Sequence, residues 1–538
     1  MKLQHISTTR FFTGLIVLYA VVVSGCGSLG DSTATGNVAV ADKARNVSYP
    51  STANTSAMAA DMSPESGTDG ERYAEIDENP FLRTDRAPLS TFSIDVDTAS
   101  YANVRRYIND GALPPKNAVR IEELINYFDY DHPQPIGDVP FSVNTELAAC
   151  PWNSENYLLQ IGLKGKQMQV DTAPAANLVF LLDVSGSMNS PDKLPLLKSG
   201  LRMMVDQLKP TDRVAIAVYA GSSGLVLPST PVSDRGEILA ALNSLEAGGS
   251  TNGGQGIELA YTVAANNFIQ GGNNRVILAT DGDFNVGTTS DDALVRLIEE
   301  KRKTGIFLSV LGFGKGNLND SMMEKLSNKG NGNYAYIDSR EEARKALGEQ
   351  VAGTLNTIAK DVKIQVEFNP ALVSGYRLIG YENRLLADRD FDDDAKDAGE
   401  IGAGHTVTAL YEIVPAGKTV DNKGIELKYS EPAAPGGKFT DELATVKLRY
   451  KDPEGSTSKL LSMGVQGTVK PLDSASADLR FAAAVAQFGL VLRDSRYKGA
   501  ATLDAARQLA VTAGQGGDQR RQEFLDLITK AAKLKRAS

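Results

Sequence analysis

The strongest constraint on the fold is an alternation of strand-like and helix-like segments between residues 174 and 355. Continuous apolar runs predict buried strands, and apolar residues recurring every three or four positions predict amphipathic helices between them. The predicted strands are 177–184 (NLVFLLDV), 213–220 (RVAIAVYA), 224–229 (GLVLPS), 275–281 (RVILATD), 306–314 (IFLSVLGFG) and 333–338 (NYAYID). A long helix is predicted to follow, from about 340 to 358. Buried strands joined by helices form a mostly parallel sheet with helices on both faces, so residues 174–355 should form a doubly wound α/β domain.

The segments on either side have a different pattern. Residues 79–139 combine a strand with helices, and 140–173 contain two strands. Residues 356–470 alternate polar and apolar positions, which is typical of antiparallel strands, and 471–538 have helical apolar faces. We expect the strands of 140–173 to pair with those after 360. The α/β domain would then be inserted in a β-rich, sandwich-like region, flanked by helical segments.

The N-terminus predicts export and lipid anchoring. Lys2 and Arg10 precede an apolar run, residues 11–23, that is too short for a comfortable membrane span. The following Val-Ser-Gly-Cys sequence, residues 23–26, resembles the bacterial lipobox. This resemblance implies a signal peptide over 1–25, lipidation of Cys26 and a location in the bacterial cell envelope. An Asp directly after the lipidated cysteine would resemble an inner-membrane retention signal, but this chain has Gly27 at that position. The outer membrane is therefore favoured if the host has two membranes.

Composition excludes some classes of function. The polar, small residues of 26–78 predict a disordered tether. The chain carries 56 Lys and Arg against 66 Asp and Glu, without a basic patch, so nucleic-acid binding is not expected. Catalysis is not expected either. His132 lies in a turn and His405 opens a strand, so both are expected to be structural or solvent-exposed, and neither a G-x-S-x-G motif nor a phosphate-binding loop is present. With Cys26 lipidated, Cys150 remains as a buried, unreactive thiol.

Oxygen-bearing side chains follow the strands of the α/β domain. Asp183, Ser185 and Ser187 follow the first strand, Thr251 precedes a helix, and Asp281 ends the strand 275–281. The carboxyl ends of parallel strands meet at one edge of a sheet, where ligands bind. Two carboxylates and three hydroxyls without His or Cys favour a hard cation, and Mg²⁺ is the first choice, with Mn²⁺ or Ca²⁺ as alternatives. In an extended loop, residues two apart point the same way, and Gly186 would permit a tight turn.

The spacing of these residues resembles a known family. D-x-S-x-S at 183–187, a Thr 68 residues after Asp183 and T-D-G 30 residues after that Thr match the metal-ion-dependent adhesion site of the von Willebrand factor type A domain, a Rossmann-like fold. The resemblance implies that the Ser and Thr hydroxyls contact the metal, that Asp acts through water, and that a partner protein's Asp or Glu carboxylate completes the coordination. Residues 90–108 and 119–128, together with the C-terminal region, resemble the bacterial YfbK-like lipoproteins, which flank a type A domain with family-specific regions.

These features predict an envelope-anchored lipoprotein that binds a partner protein through the metal site. Two alternatives are a structural envelope lipoprotein with a stabilising or vestigial metal site and a metal-dependent hydrolase. A further hypothesis concerns the acidic segment 388–400, with Asp390 and Asp392–Asp394, which could block the metal site in cis; the alternative is a solvated surface loop. Asp95 and Asp97 are a second pair of candidate metal ligands, or else a solvated strand end beside a helix cap.

Overall fold

The computed structural model describes residues 65–66, 70–168, 173–249, 253–282, 291–420, 441–514 and 517–537. The predicted signal peptide 1–25, Cys26 and Thr251 lie outside these residues. The tether was predicted to extend to residue 78, which is too far. Glu71 and Tyr73 are buried, so the folded unit includes residues from at least 70 onward. Glu71 is held by Arg106 and by the backbone N–H of Gly316, which are distant in the chain, so local composition could not indicate this.

The described residues form eighteen strands and twelve α-helices. The strands are β1 Glu65–Ser66, β2 Arg72–Tyr73, β3 Leu82–Arg83, β4 Leu89–Ser93, β5 Phe141–Ala149, β6 Tyr157–Gly165, β7 Ala176–Asp183, β8 Arg213–Tyr219, β9 Ser223–Pro231, β10 Asn273–Thr280, β11 Ile306–Phe313, β12 Tyr334–Ile337, β13 Thr357–Phe368, β14 Val373–Ile379, β15 Gly399–Gly402, β16 Thr406–Pro415, β17 Glu442–Lys451 and β18 Lys459–Gln466. The α-helices are α1 Ala99–Asn109, α2 Ile121–Asn126, α3 Leu194–Gln207, α4 Arg235–Ser244, α5 Gly253–Asn266, α6 Asp291–Arg302, α7 Asp320–Lys329, α8 Arg340–Arg344, α9 Val351–Leu355, α10 Ala477–Leu492, α11 Leu503–Thr512 and α12 Gln519–Ala537.

The central domain is a six-stranded sheet in the order β12-β11-β10-β7-β8-β9. All neighbouring strands are parallel except β8 and β9, which form an antiparallel pair at one edge. One apolar core packs α5, α6 and α7 on one face of the sheet, and a second core packs α3 and α4 on the other. All eight residues of the central strand β7 are buried. This confirms the predicted doubly wound α/β fold.

Two further sheets face each other across a shared apolar core. One has the order β15-β13-β17-β18, with β4 also paired to β13, and the other has the order β3-β14-β16-β6-β5. Strand β6 pairs with β16 over eight residues, so the strands before the α/β domain do join those after it. Side chains of both sheets form one core, which is a β-sandwich arrangement. Strands β3 and β4 also belong to these sheets, although their sequence had been assigned to a separate N-terminal region.

The C-terminal helices α10, α11 and α12 pack against α1 and α2 around another apolar core. None of the helices formed by the described residues has the length and apolar character needed to cross a lipid bilayer. The helix predicted from 340 to 358 is broken into α8, a π-helical turn over Lys345–Glu349 and α9, and β13 begins at Thr357. The prediction of one continuous helix was therefore wrong.

Candidate functional site

The turn that follows β7 carries the first three predicted ligands. Asp183 ends the strand, and its Oδ1 accepts a hydrogen bond from the backbone N–H of Ser185 at 2.9 Å. The chain then enters a 3₁₀ turn over Gly186–Asn189, which brings Ser185 Oγ and Ser187 Oγ to 3.0 Å. Ser185 is buried, whereas Ser187 is exposed. The sequence predicts that the serines converge in an extended loop, where residues two apart point the same way. In the structure the 3₁₀ turn brings the two hydroxyls together instead.

Gly186 has a different role from the one expected. Its φ is not in the left-handed region, and an added Cβ would lie 3.6 Å from Gly249 O, which is an ordinary contact. Its backbone N–H donates to Gly249 O at 3.0 Å, and Gly248 N–H donates to Val184 O at 2.7 Å. These two bonds hold the segment before Thr251 against the turn that carries the serines. Because Thr251 lies outside the described residues, its part in the site stays a prediction.

Asp183 is fully buried between two strands. Its Oδ2 accepts hydrogen bonds from the Tyr219 hydroxyl at 3.2 Å and from Thr280 Oγ1 at 3.3 Å. Burial raises the pKa of Asp183 to about 6, and the negative charge of Asp281 also raises it, while the bonds from Ser185 oppose the shift. A buried carboxylate of this kind is stabilised in its charged form by a nearby cation.

Asp281 lies at the end of β10 in a turn that requires glycine. Gly282 has φ +103°, and a Cβ there would lie 2.6 Å from the backbone oxygen of Asn317. Thr280 Oγ1 accepts a hydrogen bond from Gly282 N–H at 3.2 Å, which fixes the turn. Asp281 is fully buried, and its Oδ2 accepts a hydrogen bond from Lys193 Nζ at 2.9 Å.

Lys193 is a residue of the site that the sequence argument missed. It lies directly before α3, and only 10% of its side chain is exposed. The local sequence around it, SPDKLP, is typical of a solvated loop, so composition gave no sign of a buried ammonium group. The sequence did contain one indication. Two buried carboxylates at one sheet edge need a positive charge nearby, and Lys193 follows Asp183 by only ten residues in the sequence.

The donor set fits a hard divalent cation. Two buried carboxylates and a pair of adjacent hydroxyls offer oxygen ligands only, which Mg²⁺ prefers. Within the described parts of the chain, no group of three or more His, Cys, Asp or Glu side chains is placed to hold a metal ion. A cation at this edge would therefore depend on the hydroxyls. Since Ser187 is exposed, the turn is accessible to a ligand from outside.

The other candidate metal ligands form an ion-pair cluster instead. Asp95 and Asp97 are buried, and Arg384 Nη2 contacts them at 3.0 and 3.1 Å. Asp97 Oδ1 also accepts the backbone N–H of Tyr334 at 2.7 Å. Thr98 is the helix cap position, without a side-chain hydrogen bond. The prediction of a solvated strand end was wrong, because an arginine 287 residues away in sequence completes the cluster.

The acidic segment 388–400 does not lie at the candidate metal site formed by Asp183, Ser185, Ser187 and Asp281. Asp397 pairs with Arg302 at the C-terminal end of α6, whereas the site lies at the C-terminal ends of the strands, the opposite edge of the sheet. Asp392 pairs with Arg449, and the backbone oxygens of Asp390 and Asp393 accept from Lys363. The segment contains a 3₁₀ turn over Asp388–Phe391 that packs on the sandwich. The hypothesis that it blocks the metal site in cis is therefore wrong in this structure.

The residues considered for catalysis lie elsewhere. His132 Nε2 is 3.4 Å from Thr408 Oγ1 in β16, and His405 directly precedes that strand, so both histidines belong to the sandwich. Desolvation lowers the pKa of His405 to about 4, which makes it a poor base at neutral pH. Cys150 is buried, as expected, and burial raises the pKa of its thiol, which disfavours the reactive thiolate.

Comparison with known proteins identifies three matching regions. The family model described as von Willebrand factor type A domain matches residues 177–350, one described as von Willebrand factor matches 67–160, and one described as the C-terminal region of the uncharacterized protein YfbK matches 353–534. The chain is 44% identical over 468 residues to the uncharacterized protein YfbK of Escherichia coli K12, which is 86% of this chain and 81% of that protein.

Two more distant similarities were found. An uncharacterized protein of Synechocystis is 24% identical over 313 residues, which is 56% of this chain and 68% of that protein. Among solved structures, a von Willebrand factor type A protein from Catenulispora acidiphila aligns with a TM-score of 0.42 and 17% identity, covering 72% of this chain and 89% of that chain.

Proposed function

This chain belongs to the YfbK family of von Willebrand factor type A domain proteins, and we propose that it is an envelope-anchored lipoprotein that binds a partner protein through a metal-ion-dependent adhesion site. One observation carries the proposal. Two hydroxyls, 3.0 Å apart, lie on a turn with one exposed serine, and two buried carboxylates follow the neighbouring strands of the sheet. This set of oxygen donors suits Mg²⁺, with Mn²⁺ or Ca²⁺ as alternatives.

The proposed role of each residue follows from its surroundings. Ser185, Ser187 and Thr251 would offer neutral oxygens to the ion. The buried carboxylates of Asp183 and Asp281 would balance its positive charge. The bound ion would supply a positive centre that attracts an Asp or Glu carboxylate of the partner. Asp183 is held by Ser185, Tyr219 and Thr280, so the protein side of the site is fixed before any ligand arrives.

The anchor is proposed from the N-terminal sequence. Lipidation of Cys26 would attach the chain to the membrane, with the outer membrane favoured over the inner membrane. Several acyl chains on one residue hold a protein on a bilayer stably, which a single chain does not. No enzymatic activity is proposed, because the hydroxyls and carboxylates of the described site are assigned as ligands of a cation.

The proposal is tested by metal-dependent capture. Full-length chain immobilised on beads is incubated with envelope extract in Mg²⁺ or in EDTA, beside the double variant Ser185→Ala/Ser187→Ala. We expect one specific partner to be retained in Mg²⁺ and lost both in EDTA and in the double variant. Ser190→Ala is the matched control, because Ser190 follows the same turn but bonds to Asp192. Partners retained under all conditions would contradict metal-dependent docking and support a structural role.

A further inference from the structure

Lys193 places a positive charge inside the candidate metal site. Its ammonium group lies 2.9 Å from Asp281 Oδ2, and Asp281 has no exposed surface. No other Lys or Arg among the described residues forms an ion pair with Asp183 or Asp281. A divalent cation bound by these carboxylates would therefore compete with the Lys193 ammonium group for their negative charge.

The side chain of Lys193 is confined by the loop after β11. A Cβ added to Gly314, which has φ +72°, would lie 2.0 Å from Lys193 Cε, so the lysine stem passes directly over this glycine. The loop is itself anchored, because the Tyr336 hydroxyl donates to Gly314 O at 2.5 Å and Gly316 N–H donates to Glu71 Oε1 at 3.1 Å. The lysine is thus packed into the site and is not a surface side chain that reaches it by chance.

The consequence for a cation is electrostatic. Like charges a few ångströms apart repel, and the repulsion is stronger where burial lowers the effective dielectric constant. An incoming Mg²⁺ ion would either bind close to the ammonium group or separate it from Asp281, and both cost free energy. Without a metal, the same ammonium group compensates a carboxylate that would otherwise be buried without a cation, which is strongly unfavourable.

We propose that Lys193 is a built-in counter-ion that stabilises the metal-free site and weakens its affinity for the metal, so that the site fills only at raised cation concentration. The inference rests on the proposed metal site, because it concerns how strongly that site binds its ion. It assigns Lys193 as a positioning and affinity-setting residue and not as a ligand.

The experiment measures metal binding directly. Isothermal titration calorimetry with MgCl₂ is performed on the full-length chain and on Lys193→Met, which keeps the aliphatic stem but removes the charge. Lys193→Gln is the second variant, because its amide can still donate to Asp281 and should preserve folding. Lys303→Met is the control: Lys303 is exposed and lies between α6 and β11, at the opposite edge of the sheet.

We expect both Lys193 variants to bind Mg²⁺ at least about tenfold more tightly than the unmodified chain, which corresponds to about 1.4 kcal/mol. In EDTA they should unfold at a lower temperature, and Mg²⁺ should raise their melting temperature by more than it raises that of the unmodified chain. The Lys303 variant should match the unmodified chain in both measurements.

The possible failures are distinguishable. If the unmodified chain binds Mg²⁺ and the Lys193 variants bind it equally or more weakly, the counter-ion role is refuted while the metal site stands. If neither the unmodified chain nor any variant binds Mg²⁺, Mn²⁺ or Ca²⁺, both the proposed metal site and the role of Lys193 are refuted.

Discussion

The replacement Asp183→Asn should remove a specific pH dependence of stability from the metal-free protein. Asp183 is fully buried, and its burial raises the pKa from an ordinary value of 3.8 to about 6. Because the folded chain holds the proton more tightly than the unfolded chain, this group favours folding at low pH. Its contribution is fully present below about pH 4 and is lost as the pH rises through about 6.

The magnitude follows from the two pKa values. The rise of the Asp183 pKa from 3.8 to about 6 corresponds to a total change of about 3 kcal/mol in the free energy of unfolding. Between about pH 5 and about pH 7.5, proton linkage with these values gives a loss of about 1.4 kcal/mol. Asparagine carries no charge, its amide oxygen can still accept the hydrogen bond from Ser185, and its NH₂ group can donate to the hydroxyl oxygens of Tyr219 and Thr280. This part of the pH dependence should therefore disappear in the variant.

The assay is urea unfolding in EDTA, followed by circular dichroism at both pH values. Other buried acids also titrate in this range, so the informative quantity is the difference between the unmodified chain and Asp183→Asn. That difference should change by about 1.4 kcal/mol, with the variant relatively more stable at the higher pH. Asp192→Asn, which removes a half-buried carboxylate from the same loop, should leave the difference unchanged.

Addition of Mg²⁺ provides the complementary measurement. At about pH 7.5 the ion should stabilise the unmodified chain, because it binds the folded state and compensates the buried carboxylate. It should stabilise Asp183→Asn much less. An equal pH dependence in the two proteins would refute the argument that burial of Asp183 stores this free energy, whatever the effect of the metal.

Two other predictions concern the ion-pair cluster and the anchor. Arg384→Met should lower the free energy of unfolding by about 3–5 kcal/mol, because Asp95 and Asp97 would stay buried without their cation, while Arg389→Met, whose side chain is 85% exposed, should change the urea midpoint little. Equal midpoints for the two variants would contradict this assignment. Cys26→Ser should move the chain from the membrane fraction to the soluble fraction of cells, whereas Cys150→Ala should stay with the membranes; a Cys26 variant that still sediments with membranes would refute the lipid anchor.

The parts of the fold that could be predicted are those with a local sequence signal. Strand β7 has an apolar run over 178–182 directly before Asp183, and β10 has an apolar run over 276–279 shortly before Asp281. Since parallel strands bring their carboxyl ends to one edge, these two patterns were sufficient to place both carboxylates in one site. The π-helical turn at Lys345–Glu349 had no comparable signal, because its residues continue the helical pattern on both sides.

The parts that could not be predicted depend on pairs that are distant in sequence. Lys193 contacts Asp281 across 88 residues, and Arg384 contacts Asp97 across 287. Lys193 lies in a segment whose composition is typical of a solvated loop, and Asp95 and Asp97 are expected from the sequence at a solvated strand end. Burial of such a charge is stable only when its partner is present, and the partner is set by the tertiary fold. The local sequence alone therefore predicted exposure where the structure has buried ion pairs.

The loop that follows β11 joins the flanking regions to the proposed metal site. Gly314 of this loop packs on Lys193, and the backbone oxygen of Asn317 closes the turn at Gly282. The N-terminal flank holds the same loop at two points. Arg72 N–H donates to Leu318 O, and Glu71 accepts a hydrogen bond from Gly316 N–H. Glu71 also accepts hydrogen bonds from Arg106 and from the hydroxyls of Tyr73 and Tyr107. A fully buried carboxylate with four donors is costly to displace, so this contact fixes the loop against the site. The flanks of the α/β domain thus support the proposed metal site, which gives a physical reason for the flanks and the α/β domain to occur in one chain.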